Sequence, residues 1–187
     1  MRGTGLRLGL TALIAIVMLP LIALAEEPMT ERFEPGSETR WRFFTDQVMG
    51  GVSTGRVEIL SEDGERFARM TGSVSTENNG GFVQMRLDLP GGAADDAEGV
   101  RLVVRGNSQR YFVHLRTRGT RLPWQYYQAG FEVGPDGAEI RLPLEAFEAS
   151  GGLLPRMPQA DRLTSLGVVA FGRDHAARID VVEVGFY

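Results

Sequence analysis

The chain has 187 residues, enough for one domain with a sizeable core, and no cysteine, so neither disulfides nor thiolate metal sites hold it together. Its formal net charge of −4 lacks the basic footprint of a nucleic-acid-binding domain. With only two histidines, His114 and His175, each alone among non-ligand neighbours, it also lacks the makings of a zinc site or a histidine-based triad.

Arg2 and Arg7 precede an apolar run over 8–24, which closes on Ala23-Leu24-Ala25. That is a positive n-region, an apolar h-region and a small-x-small cleavage site. Pro20 interrupts any helix in the run. Residues 1–25 are therefore expected to be a secretory signal peptide cleaved after Ala25, giving an exported, periplasmic protein. The alternative is an uncleaved membrane anchor, because the run is nearly long enough to span a bilayer. Residues 26–39 are polar and read as a flexible leader, and 40–187 as a single domain.

From residue 40 onward apolar and polar residues alternate, with turn signals every eight to twelve positions, the pattern of an all-β sandwich. Strands are predicted at 40–44, 55–60, 67–75, 81–89, 99–106, 111–118, 125–133, 138–142, 165–171 and 178–186. Asp63-Gly64, Pro90-Gly91-Gly92, Gly106-Asn107-Ser108 and Pro135-Asp136-Gly137 punctuate them as turns. Segments 143–147 and 159–163 each fit one helical turn. Because successive strand side chains point to opposite faces, parity assigns the core. Val83, Met85, Leu87 and Leu89 share a face, as do Val100, Leu102 and Val104. Tyr111, Val113 and Leu115, and then Tyr127, Ala129, Phe131 and Val133, complete it.

Two loops carry a glycine pair beside short polar side chains. In the first, Asp46, Met49, Gly50, Gly51 and Ser53 form a segment whose glycines permit positive φ and close backbone approach. Asp46 and Ser53 are placed to hydrogen-bond turn amides. The second is Asn79, Gly80, Gly81 and Phe82, where asparagine tolerates the left-handed region. These residues serve either as tight corners that set strand register or as a loop whose free N–H groups meet a partner or an anion. A second candidate site lies on the polar parity of the central strands. Arg86, Arg105, His114, Arg116, Trp124 and Tyr126 would form one arginine–aromatic face if their strands share a sheet. Guanidinium forks suit carboxylates, and aromatic faces suit sugar rings. The alternative is a solvated face of surface ion pairs. Asp95-Asp96-x-Glu98 has the carboxylates, but not the spacing, of a calcium loop or a glycosidase pair. No catalytic residue, metal or cofactor is expected.

The two glycine-pair motifs, Phe67 with Thr71-Gly72-Ser73-Val74-Ser75, and Tyr126-Tyr127-Gln128-Ala129-Gly130-Phe131 follow one another in an order that resembles the complex I intermediate-associated protein 30 family. The resemblance runs from Trp41 to the closing segment 181–187. It implies a jelly-roll β-sandwich similar to galactose-binding domains and a non-catalytic role as an assembly factor or chaperone. That role is best known in building the membrane arm of respiratory complex I. Some relatives add a dinucleotide-binding domain, but no Gly-x-Gly-x-x-Gly follows a strand here. The mitochondrial members work in the matrix, the counterpart of a bacterial cytoplasm, whereas this N-terminus reads as secretory. The expected partners are subunits of a membrane-protein complex, met from its outward side. The alternative is a saccharide or acidic ligand on the arginine–aromatic face.

Overall fold

The computed structural model describes residues 29–187, so the signal-peptide assignment lies outside the described residues. Twelve strands make two antiparallel six-stranded sheets, and among the described residues there is no α-helix. In chain order the strands are β1 (Thr30–Glu31), β2 (Trp41–Thr45), β3 (Thr54–Glu62), β4 (Glu65–Val74), β5 (Phe82–Asp88) and β6 (Gly99–Gly106). There follow β7 (Gln109–Thr117), β8 (Tyr127–Val133), β9 (Ala138–Pro143), β10 (Glu148–Ala149), β11 (Leu163–Phe171) and β12 (His175–Phe186). The first sheet runs β3-β4-β12-β6-β9, with β1 alongside the end of β12; the second runs β10-β8-β7-β11-β5-β2. This is the jelly-roll sandwich expected from the alternating sequence. The single helical turns at Leu144–Ala146 and Ala160–Arg162 fall where they are predicted.

The inward parity of both sheets forms one core. Val83, Met85, Leu87, Val100, Leu102, Val104, Tyr111, Val113, Leu115, Tyr127, Ala129, Phe131 and Val133 are all buried in it, and Leu89 packs against its edge. Period two fails in β11, where an irregularity between Leu163 and Ser165 leaves Leu163 and Leu166 both in the core, and again in β12. A bulge between Val181 and Glu183 puts two residues on one side of the strand, so Val181 and Val184 both face inward although they are three apart.

The polar leader is not loose from Thr30 onward. β1 pairs with Val184 and Gly185, and Phe33 is fully buried with its ring 5.5 Å from that of Trp41. Phe33 takes φ 55°, and its amide donates to the buried Glu31 carboxylate at 2.8 Å. Arg40 pairs with the same carboxylate at 2.8 Å. A lone aromatic among polar residues gives no periodicity from which this could be read.

Candidate functional site

After β2 the chain makes one 3-10 turn, Asp46–Met49, and Gly50 closes it at φ 92°, where a side chain would be strained. Gly51 serves a different need. A Cβ there would stand 2.3 Å from Asp46 Cγ, so only glycine lets the backbone pass the carboxylate. The fully buried Asp46 accepts hydrogen bonds from the Ser53 amide at 2.9 Å, the Gly81 amide at 2.5 Å and the Phe82 amide at 3.2 Å. The Ser53 hydroxyl donates to it as well, and itself accepts from the Ser75 amide at 3.0 Å. Burial pushes the Asp46 carboxyl up, but the bonds from Ser53, Gly81 and Phe82 outweigh that and hold it below its ordinary 3.8.

One carboxylate thus joins the two glycine motifs. Asn78 and Asn79 sit in the left-handed region at φ 57°, and a Cβ at Gly80 would stand 2.4 Å from Asp46 Oδ2. The amides that the sequence offers to a partner or an anion are occupied from within. What the loop does present is apolar: Val48 is 72% exposed and Met49 63%, with Val52 beside them. Phe82 lies edge-on to Phe44, ring centroids 6.0 Å apart.

The outer face of the second sheet brings together Arg86, His114, Arg116 and Tyr126. Gly167 is central, with Arg86 opposite it on β5 and His114 opposite it on β7. Across the next ladder His114 faces Gln128. The Tyr126 ring stacks on His114 at 4.1 Å, Phe171 meets His114 edge-on at 5.7 Å, and Arg86 lies 5.0 Å over Phe44. Burial pushes the His114 imidazole down to about 3, against a smaller upward pull from Gln128, so it is neutral at physiological pH. Arg86 Nε, His114 Nε2 and Gln128 Oε1 are buried without a well-aligned hydrogen bond. Phe44, Gly167 and Phe171 join this face, and sequence alone did not single them out as part of it. Only the strand order could show them, because each lies on a strand distant in sequence.

Three expected members of that face behave differently. Arg105 belongs to β6, in the other sheet, and projects from the opposite side of the sandwich. There it binds Asp180 at 3.1 Å and Glu65 at 2.9 Å, lining a cleft of about 460 Å³ with Glu62, Arg69 and Arg178. Trp124 sits before β8, in the loop, and is 65% exposed. Arg116 shares the face, but its guanidinium donates to the carbonyls of Thr120 at 2.9 Å, Leu122 at 3.0 Å and Pro123 at 3.3 Å. It clamps the β7–β8 loop instead of offering a free fork. Asp95, Asp96 and Glu98 do not converge as a metal-ligand group among the described residues.

The family model described as complex I intermediate-associated protein 30 matches residues 31–176. No curated protein matches the chain. Among solved structures it is similar to the family 11 carbohydrate-binding module of cellulosomal cellulase Lic26A-Cel5E of Clostridium thermocellum, with TM-score 0.65 and 10% identity over 86% of this chain and 95% of that one. The family 11 module from the same organism, in complex with a β-1,3-1,4-mixed-linked tetrasaccharide, superposes with TM-score 0.62 and 12% identity over 83% and 92%. A family 30 carbohydrate-binding module of cellulase Cel9D-Cel44B of that organism gives TM-score 0.51 and 9% identity over 70% and 81%. At these identities the likeness is one of fold.

Proposed function

The chain belongs to the complex I intermediate-associated protein 30 family, and from that membership we propose that it is an exported, non-catalytic module assisting the assembly or stability of a membrane-protein complex. The observation that carries this reading is the pair Val48 and Met49, held out in solvent on a loop fixed from beneath by Asp46. Exposed apolar side chains on a rigid support suit a protein interface, where ordering costs are already met. Membership supplies the kind of partner, namely subunits of a membrane complex, and export would confine contact to their outward surfaces.

A photo-crosslinking residue placed at position 49 in cells is expected to capture a reproducible set of membrane-protein subunits. Val48→Asp with Met49→Asp, both at exposed positions, should leave thermal stability unchanged while lowering recovery of the subunits co-purifying with the tagged chain roughly tenfold. Equal recovery from the double variant, or nothing above background from the parent, would remove this surface from consideration.

A second reading is favoured by the outer face of the second sheet. Neutral His114, Arg86 and Gln128 keep hydrogen-bonding capacity beside the rings of Tyr126 and Phe171, a mixture that suits a saccharide. The solved carbohydrate-binding modules with this fold lend it support. Calorimetry against a glycan panel tests it. Tyr126→Ala is expected to weaken any glycan affinity by about 1–2 kcal/mol, and an unchanged affinity would clear the face of that role.

A further inference from the structure

The β7–β8 loop, residues 118–126, and the β10–β11 loop, residues 150–162, lie side by side. The Ser150 hydroxyl donates to the Trp124 carbonyl at 2.9 Å and accepts from the Tyr126 amide at 3.0 Å, and the Arg118 amide donates to the Arg162 carbonyl at 2.9 Å. Together they hold four of the seven large apolar side chains exposed among the described residues: Leu122, Trp124, Leu153 and Met157. Leu153 is 89% exposed. The same loops carry Arg118, Arg121, Arg156 and Arg162, all exposed and none ion-paired to a described carboxylate, against the single acid Asp161. Elsewhere carboxylates answer most arginines, and the chain as a whole is acidic at −4.

We infer that this tip seats on the surface of an anionic lipid bilayer. Tryptophan and leucine side chains partition into the boundary between headgroups and acyl chains, while arginines beside them meet lipid phosphates. An uncompensated cationic cluster on an otherwise acidic domain is complementary to an anionic surface and to little else in the chain's own make-up. The loop is built to hold that shape, since Arg116 grips three of its carbonyls from below and Gln125 Oε1 accepts from the Arg121 and Leu122 amides at 2.8 and 3.0 Å. The Val48–Met49 loop is at the other end of the second sheet. β11 begins beside Thr117 and ends beside Phe82, so about 30 Å of strand separates the two ends. A bilayer beneath the tip would leave the Val48–Met49 loop raised above the lipid, at the height of a membrane protein's exposed domains. The inference does not depend on what that loop binds.

The chain has two tryptophans, and Trp41 is already buried at 6% exposure, so a change in emission reports on Trp124. The full chain is titrated with vesicles of phosphatidylglycerol and phosphatidylethanolamine, and separately with phosphatidylcholine alone, with acyl-brominated lipids as quenchers. Emission is expected to move to shorter wavelength and to be quenched on the anionic vesicles, with the effect fading as salt rises. Arg118→Gln with Arg121→Gln and Arg156→Gln should weaken that response roughly a hundredfold, and Leu153→Asp roughly tenfold. Both variants change exposed positions and should fold normally. The readout is local to the tip, so any attachment through residues 1–28 is common to all variants. Three outcomes would overturn the inference. Trp124 could stay unquenched on anionic vesicles, respond to phosphatidylcholine as strongly as to anionic vesicles with the arginine variant matching the parent, or respond only to an added solubilised membrane protein.

Discussion

Asp46→Ala is expected to lower folding stability by about 4 kcal/mol, the largest loss from any single polar side chain in the domain. The substitution strips the acceptor from the amides of Ser53, Gly81 and Phe82 and from the Ser53 hydroxyl at once. Each buried donor left unpaired costs about 1–3 kcal/mol, and local relaxation recovers part of the sum. Asp46→Asn should cost less, about 2 kcal/mol, because its carbonyl oxygen still accepts while its amide group faces other donors. The carboxyl is held below its ordinary value in the folded state, so its contribution is present above the unfolded value near 3.8 and is lost as pH falls through the lowered folded value. Urea denaturation at pH 7 and at pH 3 measures both effects. The parent should lose more stability between the two pH values than Asp46→Asn does. Equal losses would show that Asp46 is not the ionised anchor of these loops. Gly51→Ala should mimic the larger loss, since its Cβ would meet the carboxylate itself, whereas Gly50→Ala suffers only from its left-handed backbone.

That carboxylate also shows what the sequence conveyed. The Asp46–Ser53 and Asn78–Phe82 motifs announce tight backbone, but nothing in either says that a single side chain lies between them. Period-two alternation was enough for ten of the strands and for the core, because most of those strands turn one apolar face to the core and a shifted register would expose it. It could not find β1 or β10, two residues each, because alternation needs a longer run. Parity tells which side of a strand a residue takes, not which sheet the strand joins. Arg86 and Arg105 share a parity and point from opposite sides of the molecule, since β5 and β6 are consecutive in sequence yet lie in different sheets. Trp124 failed for another reason. Strand β8 starts at Tyr127, so the alternation extended back to Trp124 had no sheet beneath it. The arginine–aromatic face is therefore smaller than its sequence outline, while the loop beyond it gains the exposed tryptophan.

Asp180→Ala should cost about 3 kcal/mol, through a residue that no motif announces. The outer face of the first sheet has no second layer to cover it, yet Phe67 on that face is fully buried. The guanidinium of Arg105 lies 4.6 Å from its ring centre and that of Arg69 5.1 Å, so two cations roof the aromatic. Asp180 braces the roof. Arg69 donates to both its oxygens at 2.7 Å, and Arg105 adds a bond at 3.1 Å. Burial pushes the Asp180 carboxyl up, but Arg69 and Arg105 outweigh that and hold it below its ordinary range. Without the carboxylate the two arginines repel, swing into water and uncover Phe67, whose burial alone is worth roughly 1.5–3 kcal/mol. An apolar replacement of the central pair should behave differently. Arg69→Met combined with Asp180→Leu keeps a cover over Phe67 and leaves no charge stranded, so it should recover most of what Asp180→Ala loses. A double-mutant cycle on denaturant midpoints separates the alternatives. If the double variant is as unstable as the single one, the network stabilises through its charges; recovery would show that its main work is to keep water off Phe67.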